Sequence, residues 1–384
     1  MTNRKIAYIV NHVAFFVSHR LPLAIGAKSA GFDVALFTGQ PGSDLMEGEA
    51  VKKLAEEYIP HKRAIFRSSG LNPLIELLGL LQIVIFLLKF RPDIVHCASP
   101  KGVLYGGIAA RICRVPGLVL AVSGMGYAYT KGSEKRWTRI CIRQIYGFLA
   151  KLAFSHQNLK VIVQNKDDYL SLINSKLVKK SSLTLIPGSG VDLSLFNNCL
   201  PDKKKHIVLL PARMLKDKGV SEFVSAARKI RIIEPEWRFV LAGAADYKNP
   251  SSISQTDLRN WQIEGIVEWI GHVDNMVPWF RDAALVCLPS YREGMPKSLL
   301  EAAAACCAIV TTDVVGCREA IEPAVTGDLV PAHDIDALTE TLLLLIQDKS
   351  RRQTYGKNGR ERALRLYSIH SVVNQTTQIY KGLF

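Results

Sequence analysis

The 384-residue sequence predicts an α/β protein of two doubly wound units, each a parallel sheet with helices on its faces. Three observations predict this. Short β-rich apolar runs alternate with helix-like stretches, the series restarts after residue 206, and a turn- and charge-rich segment, PGSGVDLSLFNNCLPDKKK, lies between the two series. A chain of this length that is 48% apolar also holds more than one ordinary core.

The elements follow in order. KIAYIV, DVALFT, DIVHCAS, LVLAVS, KVIVQ and LTLIP read as buried parallel strands, because they are apolar along their whole length rather than at alternate positions. Before the third of them stands NPLIELLGLLQIVIFLLKFRPD, whose apolar stretch Leu74 to Leu88 is interrupted by Glu76, Gly79 and Gln82 and falls short of the ~20 residues that span a bilayer. It reads as one helix, with Asn72 as N-cap, Pro73 at the first position and Pro92 as the stop. Burial against the sheet is the plain reading of that helix, and partial membrane contact the other. Beyond the turn-rich segment, taken as the interdomain linker, HIVLLPAR, RFVLAG, VEWIG, ALVCLPS and AIVTT form the second strand series.

Composition narrows the function classes. The eight cysteines lie mostly in apolar runs, with no zinc-type spacing, and read as free buried thiols of a reducing cytoplasm. The five-residue apolar run near the start is too short for a signal-peptide core, so no secretion is expected. Residues 1–200 hold 25 Lys and Arg against 12 Asp and Glu, a net +13, whereas 201–384 hold 24 against 22, a net +2. The basic surface therefore belongs to the first half, where it suits an anionic partner. With no RNP motif, zinc finger or helix-turn-helix signature beside it, an anionic membrane fits better than nucleic acid. One helical segment, KGSEKRWTRICIRQIYGFLAKLAF, puts Arg136, Arg139 and Arg143 on one face, with Trp137, Cys141, Phe148 and Leu152 on a neighbouring apolar stripe. It suits either a membrane interface or ordinary packing on the first sheet.

The chemistry concentrates in SYREGMPKSLLEAAAACC, residues 290–307. ALVCLPS is a strand, the next residues a turn, and Pro296 opens a helix, so the free N–H groups of the first helical turn face the carboxyl end of the sheet and make an anion site. Glu293 and Glu301 stand on either side of that site, where carboxylates can accept hydroxyl hydrogen bonds from a ribose at one end of a diphosphate and a hexose at the other. Gly294, Met295, Pro296, Lys297, Ser298 and Leu299 form the turn and helix start that would contact such a donor. Arg213 and Lys218, at the mouth of the strand VLLPAR, can neutralise charge on a departing diphosphate, or Lys218-Gly219 is merely a polar turn.

EGMPKSLLEAAAACCAIVTTDVVGCREAI resembles the E-x7-E region of retaining nucleotide-sugar glycosyltransferases of family 4, which have the GT-B fold of two Rossmann-like doubly wound domains facing across a cleft. RPDIVHCAS, PGSGVDLSLF, PARMLKDKG and the C-terminal YSIHSVVNQTTQIYKGLF extend the resemblance along nearly the whole chain. It implies an acceptor-binding domain over 1–198, a nucleotide-sugar-binding domain over 199–367, and a last helix from about 368 to 384 that crosses back. It also implies Arg213 and Lys218 as the donor-diphosphate clamp, and Gly243 and His272 near the nucleobase. Many members show a Gly-Gly turn after the first strand and a histidine after the strand matching LVLAVS; this chain has Asn11-His12 and Ser123-Gly124, so no catalytic histidine is carried over.

SHR-P, then GMG, then EGMPKSLLEA with GCREAI is similar to a narrower group of bacterial transferases that extend lipid-diphosphate-linked glycans, such as O-antigen. That likeness implies a hexose or N-acetylhexosamine moved from a nucleotide-sugar, with a UDP-sugar expected, to an undecaprenyl-diphosphate-linked sugar by a peripheral enzyme at the cytoplasmic membrane face. Ser123, Gly124, Met125 and Gly126 would then line the acceptor, Arg20 and Lys101 would meet its diphosphate, and His19 with Arg20 either hold a phosphate or are surface residues of a first helical turn. His96 reads as a satisfied strand-end histidine. No cofactor and no metal are expected, and no carboxylate nucleophile stands out for a double displacement, which favours same-face transfer within a closing cleft. A sugar-nucleotide epimerase of the same fold and a non-catalytic partner in glycan assembly are the rival readings.

Overall fold

In a computed structural model, which describes residues 3–41, 45–67, 72–122, 136–246 and 249–384, the chain divides into two compact units, 1–187 with 372–384, and 188–371. The first unit runs β1 (Lys5–Val10), α1 (Val13–His19), α2 (Leu21–Ser29), β2 (Asp33–Gln40), α3 (Leu45–Glu56), β3 (His61–Arg67), α4 (Pro73–Phe90), β4 (Ile94–Ala98), α5 (Pro100–Ile112), β5 (Gly117–Val122), α6 (Arg136–Phe154), β6 (Leu159–Val163), α7 (Lys166–Asn174) and β7 (Leu183–Leu185). Its seven parallel strands are ordered β3-β2-β1-β4-β5-β6-β7. The central strands are buried on both faces, as their uninterrupted apolar runs require.

The second unit holds β8 (Lys205–Pro211), α8 (Val220–Ile233), β9 (Arg238–Ala242), α9 (Gln255–Ile263), β10 (Glu268–Trp269), α10 (Val277–Asp282), β11 (Ala283–Leu288), α11 (Lys297–Ala304), β12 (Ala308–Thr312), α12 (Cys317–Ala320), β13 (Gly327–Val330), α13 (Ile335–Gln347) and α14 (Lys349–Leu366). The order of its six parallel strands is β10-β9-β8-β11-β12-β13, reversing direction between β8 and β11. Such a reversal opens a crevice at the strands' carboxyl ends. The last helix, α15 (Ile369–Lys381), returns to the first unit, where Tyr380 and Leu383 are buried in its core.

The turn-rich segment, expected as the interdomain linker, is packed along part of its length: Phe196 lies on Phe280 in the core of the second unit, and Val191 exchanges backbone hydrogen bonds with Tyr367 and Ile369. Helix α4 starts as expected, with Asn72 accepting from the N–H groups of Leu74 and Ile75, but only part of it is buried. Gly79, Ile83, Phe86 and Leu87 face inward, while Leu74, Leu77, Leu78, Leu81, Ile85 and Leu88 are exposed. In α6 the expected apolar stripe divides: Leu152 packs on the core and Phe148 points to solvent. Among the described residues the cysteines form no disulfide, and burial raises the thiol pKa of Cys287 and Cys307.

Candidate active site

The site is built where the second sheet reverses. After β8, Arg213 donates to Asp246 at 3.0 Å with its side chain about half exposed. Lys216–Lys218 then form a single 3-10 turn that ends at Gly219, whose φ is 70°. A Cβ at Gly219 would lie 2.1 Å from the carbonyl oxygen of Pro289, so only glycine lets this turn pass the end of β11. The backbone N–H of Tyr291 donates to the Asp217 carbonyl at 2.9 Å, which ties the lysine turn to the loop that carries Glu293.

Glu293 is fixed from three directions. Lys218 Nζ and Ser290 Oγ both donate to its Oε1, the latter at 2.8 Å, and its backbone N–H donates to the Val315 carbonyl at 3.1 Å. Behind the turn stands Gly316, φ 81°, whose missing Cβ would sit 2.5 Å from the Glu293 carbonyl oxygen and 2.6 Å from that of Gly294. Helix α11 then begins one residue later than expected, with Pro296 as N-cap and no side chain capping it. Leu299 and the alanines 302–304 are fully buried, and Met295 nearly so, so the helix lies close on the sheet with its N-terminal end toward the crevice.

Glu301 lies 3.5 Å from Lys297, one turn before it. Burial raises its carboxyl pKa above the ordinary range, and the ammonium of Lys297 opposes the rise without cancelling it. At the end of β9, Gly243 approaches β8 so closely that a Cβ there would meet the Ala212 carbonyl oxygen, and its own carbonyl accepts from Trp269 Nε1 at 2.9 Å. His272 stands 3.0 Å from Asp274. The second unit thus gathers Arg213, Lys218, Gly243, Glu293 and the start of α11 at the carboxyl ends of neighbouring strands. Two cations and two carboxylates there are held by other protein groups and exchangeable for a ligand's phosphates and hydroxyls. Among the described residues no cluster of three or more His, Cys, Asp or Glu is placed to hold a metal.

Ser290, Asp246 and Gly316 were not singled out by sequence reasoning. Gly316 lies inside the stretch VVGCREAI, but nothing in the spacing tells that it backs the Glu293 turn.

The first unit places its candidates differently. His19 ends α1 and stacks on Phe15. Arg20 is buried with Nε unpartnered, Nη1 donating to the His19 carbonyl, and burial pulls its pKa down to about 10. Lys101 Nζ donates to Glu76 at 2.6 Å in a partly buried ion pair that joins α5 to α4. To meet a diphosphate it would have to leave that carboxylate. His96 is fully buried with Nδ1 2.6 Å from Tyr380 Oη, which in turn is 2.8 Å from Tyr8 Oη. The N-terminus of α1 is already occupied: Glu47, buried, accepts from the N–H groups of Val13 and Ala14, and the His12 ring accepts from that of Phe15. Ser123, Gly124, Met125 and Gly126, and the side chains of Arg136, Trp137, Arg139 and Arg143, lie outside the described residues.

Known proteins resemble this chain in sequence and in fold. Residues 194–362 match the family described as glycosyl transferases group 1, and residues 5–165 match glycosyl transferase 4-like proteins. The N,N'-diacetylbacillosaminyl-diphospho-undecaprenol alpha-1,3-N-acetylgalactosaminyltransferase of Campylobacter jejuni is 30% identical over 82% of this chain and 84% of its own length. The UDP-Gal:alpha-D-GlcNAc-diphosphoundecaprenol alpha-1,3-galactosyltransferase of Escherichia coli is 26% identical over 79% and 78%. Among solved structures, sucrose-phosphate synthase from Thermosynechococcus elongatus superposes with a TM-score of 0.77 at 19% identity, covering 99% of each chain.

Proposed function

From the premise that this chain belongs to the group 1, 4-like glycosyltransferases of GT-B fold, we propose that it transfers a hexose or N-acetylhexosamine from a UDP-sugar to an undecaprenyl-diphosphate-linked sugar, with retention of configuration. The observation that carries this reading is the pair Glu293 and Glu301 on either side of the uncapped start of α11, with Lys218 beside Glu293. Both relatives are named for diphospho-undecaprenol acceptors, and one for a UDP-sugar donor.

In this reading the α11 N-terminus takes a donor phosphate. Glu301 accepts from the ribose hydroxyls and Glu293 from the transferred sugar, while Gly243 and His272 lie near the base. Arg213 and Lys218 leave Asp246 and Glu293 for the diphosphate and stabilise its charge as the sugar departs, work that needs no metal ion. The leaving phosphate accepts the proton of the incoming hydroxyl on the same face. His19, Arg20, Lys101 and the loop Ser123 to Gly126 serve the acceptor. The net +13 of residues 1–200 and the arginines 136, 139 and 143 suit a peripheral position on the cytoplasmic face of the membrane.

Calorimetry tests the assignment. Glu301→Ala should weaken UDP and UDP-sugar alike by about 2 kcal/mol, roughly thirtyfold, the worth of a charged hydrogen bond. Glu293→Ala should weaken mainly the intact donor. Equal UDP affinity for wild type and Glu301→Ala would sink the assignment, and a panel of nucleotide-sugars offered with a lipid-diphosphate acceptor identifies the sugar.

A further inference from the structure

Helix α4 carries a feature that sugar transfer does not use. Leu74, Leu77, Leu78, Leu81, Ile85 and Leu88 form a single outward stripe, with Leu74 72% and Leu77 63% exposed. At 1.5 Å per residue it runs about 21 Å. Scattered exposed leucines are ordinary, but six on one helix face form a contiguous patch of the kind that marks a contact. The helix is long and apolar enough to cross a membrane, by length and composition. Crossing would pull Ile83, Phe86 and Leu87 out of the core and Gln82 away from the Ile65 N–H of β3, to which its side chain is bonded at 2.8 Å. The helix therefore keeps its place on the sheet and offers only its outer side.

Charge identifies what covers it. Helices α4, α5 and α6 lie on one face of the first sheet and together carry seven Lys or Arg against one acidic residue, Glu76. Glu76 is turned inward and paired with Lys101, so it offers no free carboxylate to a partner. Lys62, exposed on the α4 side of β3, and Lys89 near the end of α4 add cations beside the stripe. A second copy of the chain would set these cations against their equals. An anionic lipid surface satisfies the apolar stripe and the cations together. We infer that the outer face of α4 is seated in the headgroup and upper acyl region of an anionic bilayer, as a contact separate from the arginines of α6. Exposed Ile145 and Phe148 on α6 extend the apolar surface on the same side of the sheet. The inference deepens the membrane side of the proposed function, and vesicle binding reads it without sugar transfer, so failure of one is distinguishable from failure of the other.

The full chain is tested on vesicles of phosphatidylcholine with and without phosphatidylglycerol. Leu74→Gln/Leu77→Gln/Leu81→Gln, changed at positions more than half exposed, should lower partitioning onto the anionic vesicles at least tenfold and leave UDP binding intact. Ile232→Gln/Ile263→Gln, a comparable loss of exposed apolar surface on the second unit, should change nothing. The fluorescence of a Leu77→Trp variant should be quenched by lipids brominated near the headgroup. Wild-type binding that ignores phosphatidylglycerol, a triple variant that partitions like wild type, or an unquenched tryptophan overturns the inference. So does a lipid-free dimer of the wild type that the triple variant dissolves, which would assign the stripe to a second copy.

Discussion

Gly316→Ala isolates what holds Glu293 in place. Two effects separate cleanly, because Gly265 offers a matched comparison: its φ is 71° against 81° at Gly316, yet a Cβ at Gly265 would meet nothing within 4 Å. Both alanines carry the cost of a positive φ, about 1–3 kcal/mol, which lowers the melting temperature of a unit this size by about 2–12 °C. Only Gly316→Ala adds an overlap, at 2.5 Å and 2.6 Å from two backbone oxygens that cannot rotate away. Relief to about 3.0 Å moves the Glu293–Gly294 turn by at least 0.5 Å. A misplacement of about 1 Å at a reacting centre can cost about a hundredfold, so a loss of about ten- to a hundredfold in transfer rate is expected from Gly316→Ala and none from Gly265→Ala. Scanning calorimetry gives the stability of each, and UDP release in the presence of acceptor gives the rate. Equal rates for the two variants would refute the claim that Gly316 positions Glu293.

Three further outcomes follow from other contacts. Because Glu301 is held with a raised pKa, the fold binds its proton more tightly than the unfolded chain does; this carboxylate therefore costs stability at neutral pH, a cost that fades as pH falls through the folded value. Glu301→Gln should raise the melting temperature at pH 7, and wild-type UDP affinity should begin to fall on acidification at a higher pH than an ordinary carboxylate would set, both read by calorimetry. Arg213→Ala should slow transfer about a hundredfold, the ~3 kcal/mol of one preorganised charge contact, while EDTA leaves the wild-type rate unchanged; abolition by EDTA with rescue by Mg²⁺ would contradict this. Tyr380→Phe should cost about 2 kcal/mol in thermal unfolding by stranding Tyr8 Oη and His96 Nδ1, and stability should decline below about pH 6.5, because burial and Arg20 keep folded His96 neutral while the unfolded side chain takes a proton.

The central strands were readable because burial on both faces leaves an uninterrupted apolar run, as in Ile6–Val10 and Ala283–Leu288. The edges were not. Strand β3 carries Lys62, Arg63 and Arg67 because its outer side meets water, and β13 is four residues long with Asp328 turned to Arg351, so neither shows a strand's apolar signature. The two glutamates were legible as one contiguous motif. Their supports come from far along the chain, and no spacing rule connects Lys218 to Glu293 or Glu47 to the start of α1. For α4 the difficulty is different: a helix apolar on every side shows no preferred face, and only the packing of Gly79, Ile83, Phe86 and Leu87 separates the inner side from the outer.

The division of the first unit has a consequence for how the protein is made. Residues 372–384 supply Tyr380, fully buried against Tyr8 and Phe32, and Leu383, whose carbonyl accepts from Asn158. At about 5–20 residues per second, the ribosome spends about 9–37 s on residues 188–371 before it reaches them. The second unit is continuous in sequence and can fold during that interval. The first must wait with the site of α15 uncovered, leaving Tyr8, His96 and the Arg20 guanidinium without their cover until residues 372–384 are made. A stop codon placed before α15 would therefore damage the unit whose strands were synthesised first.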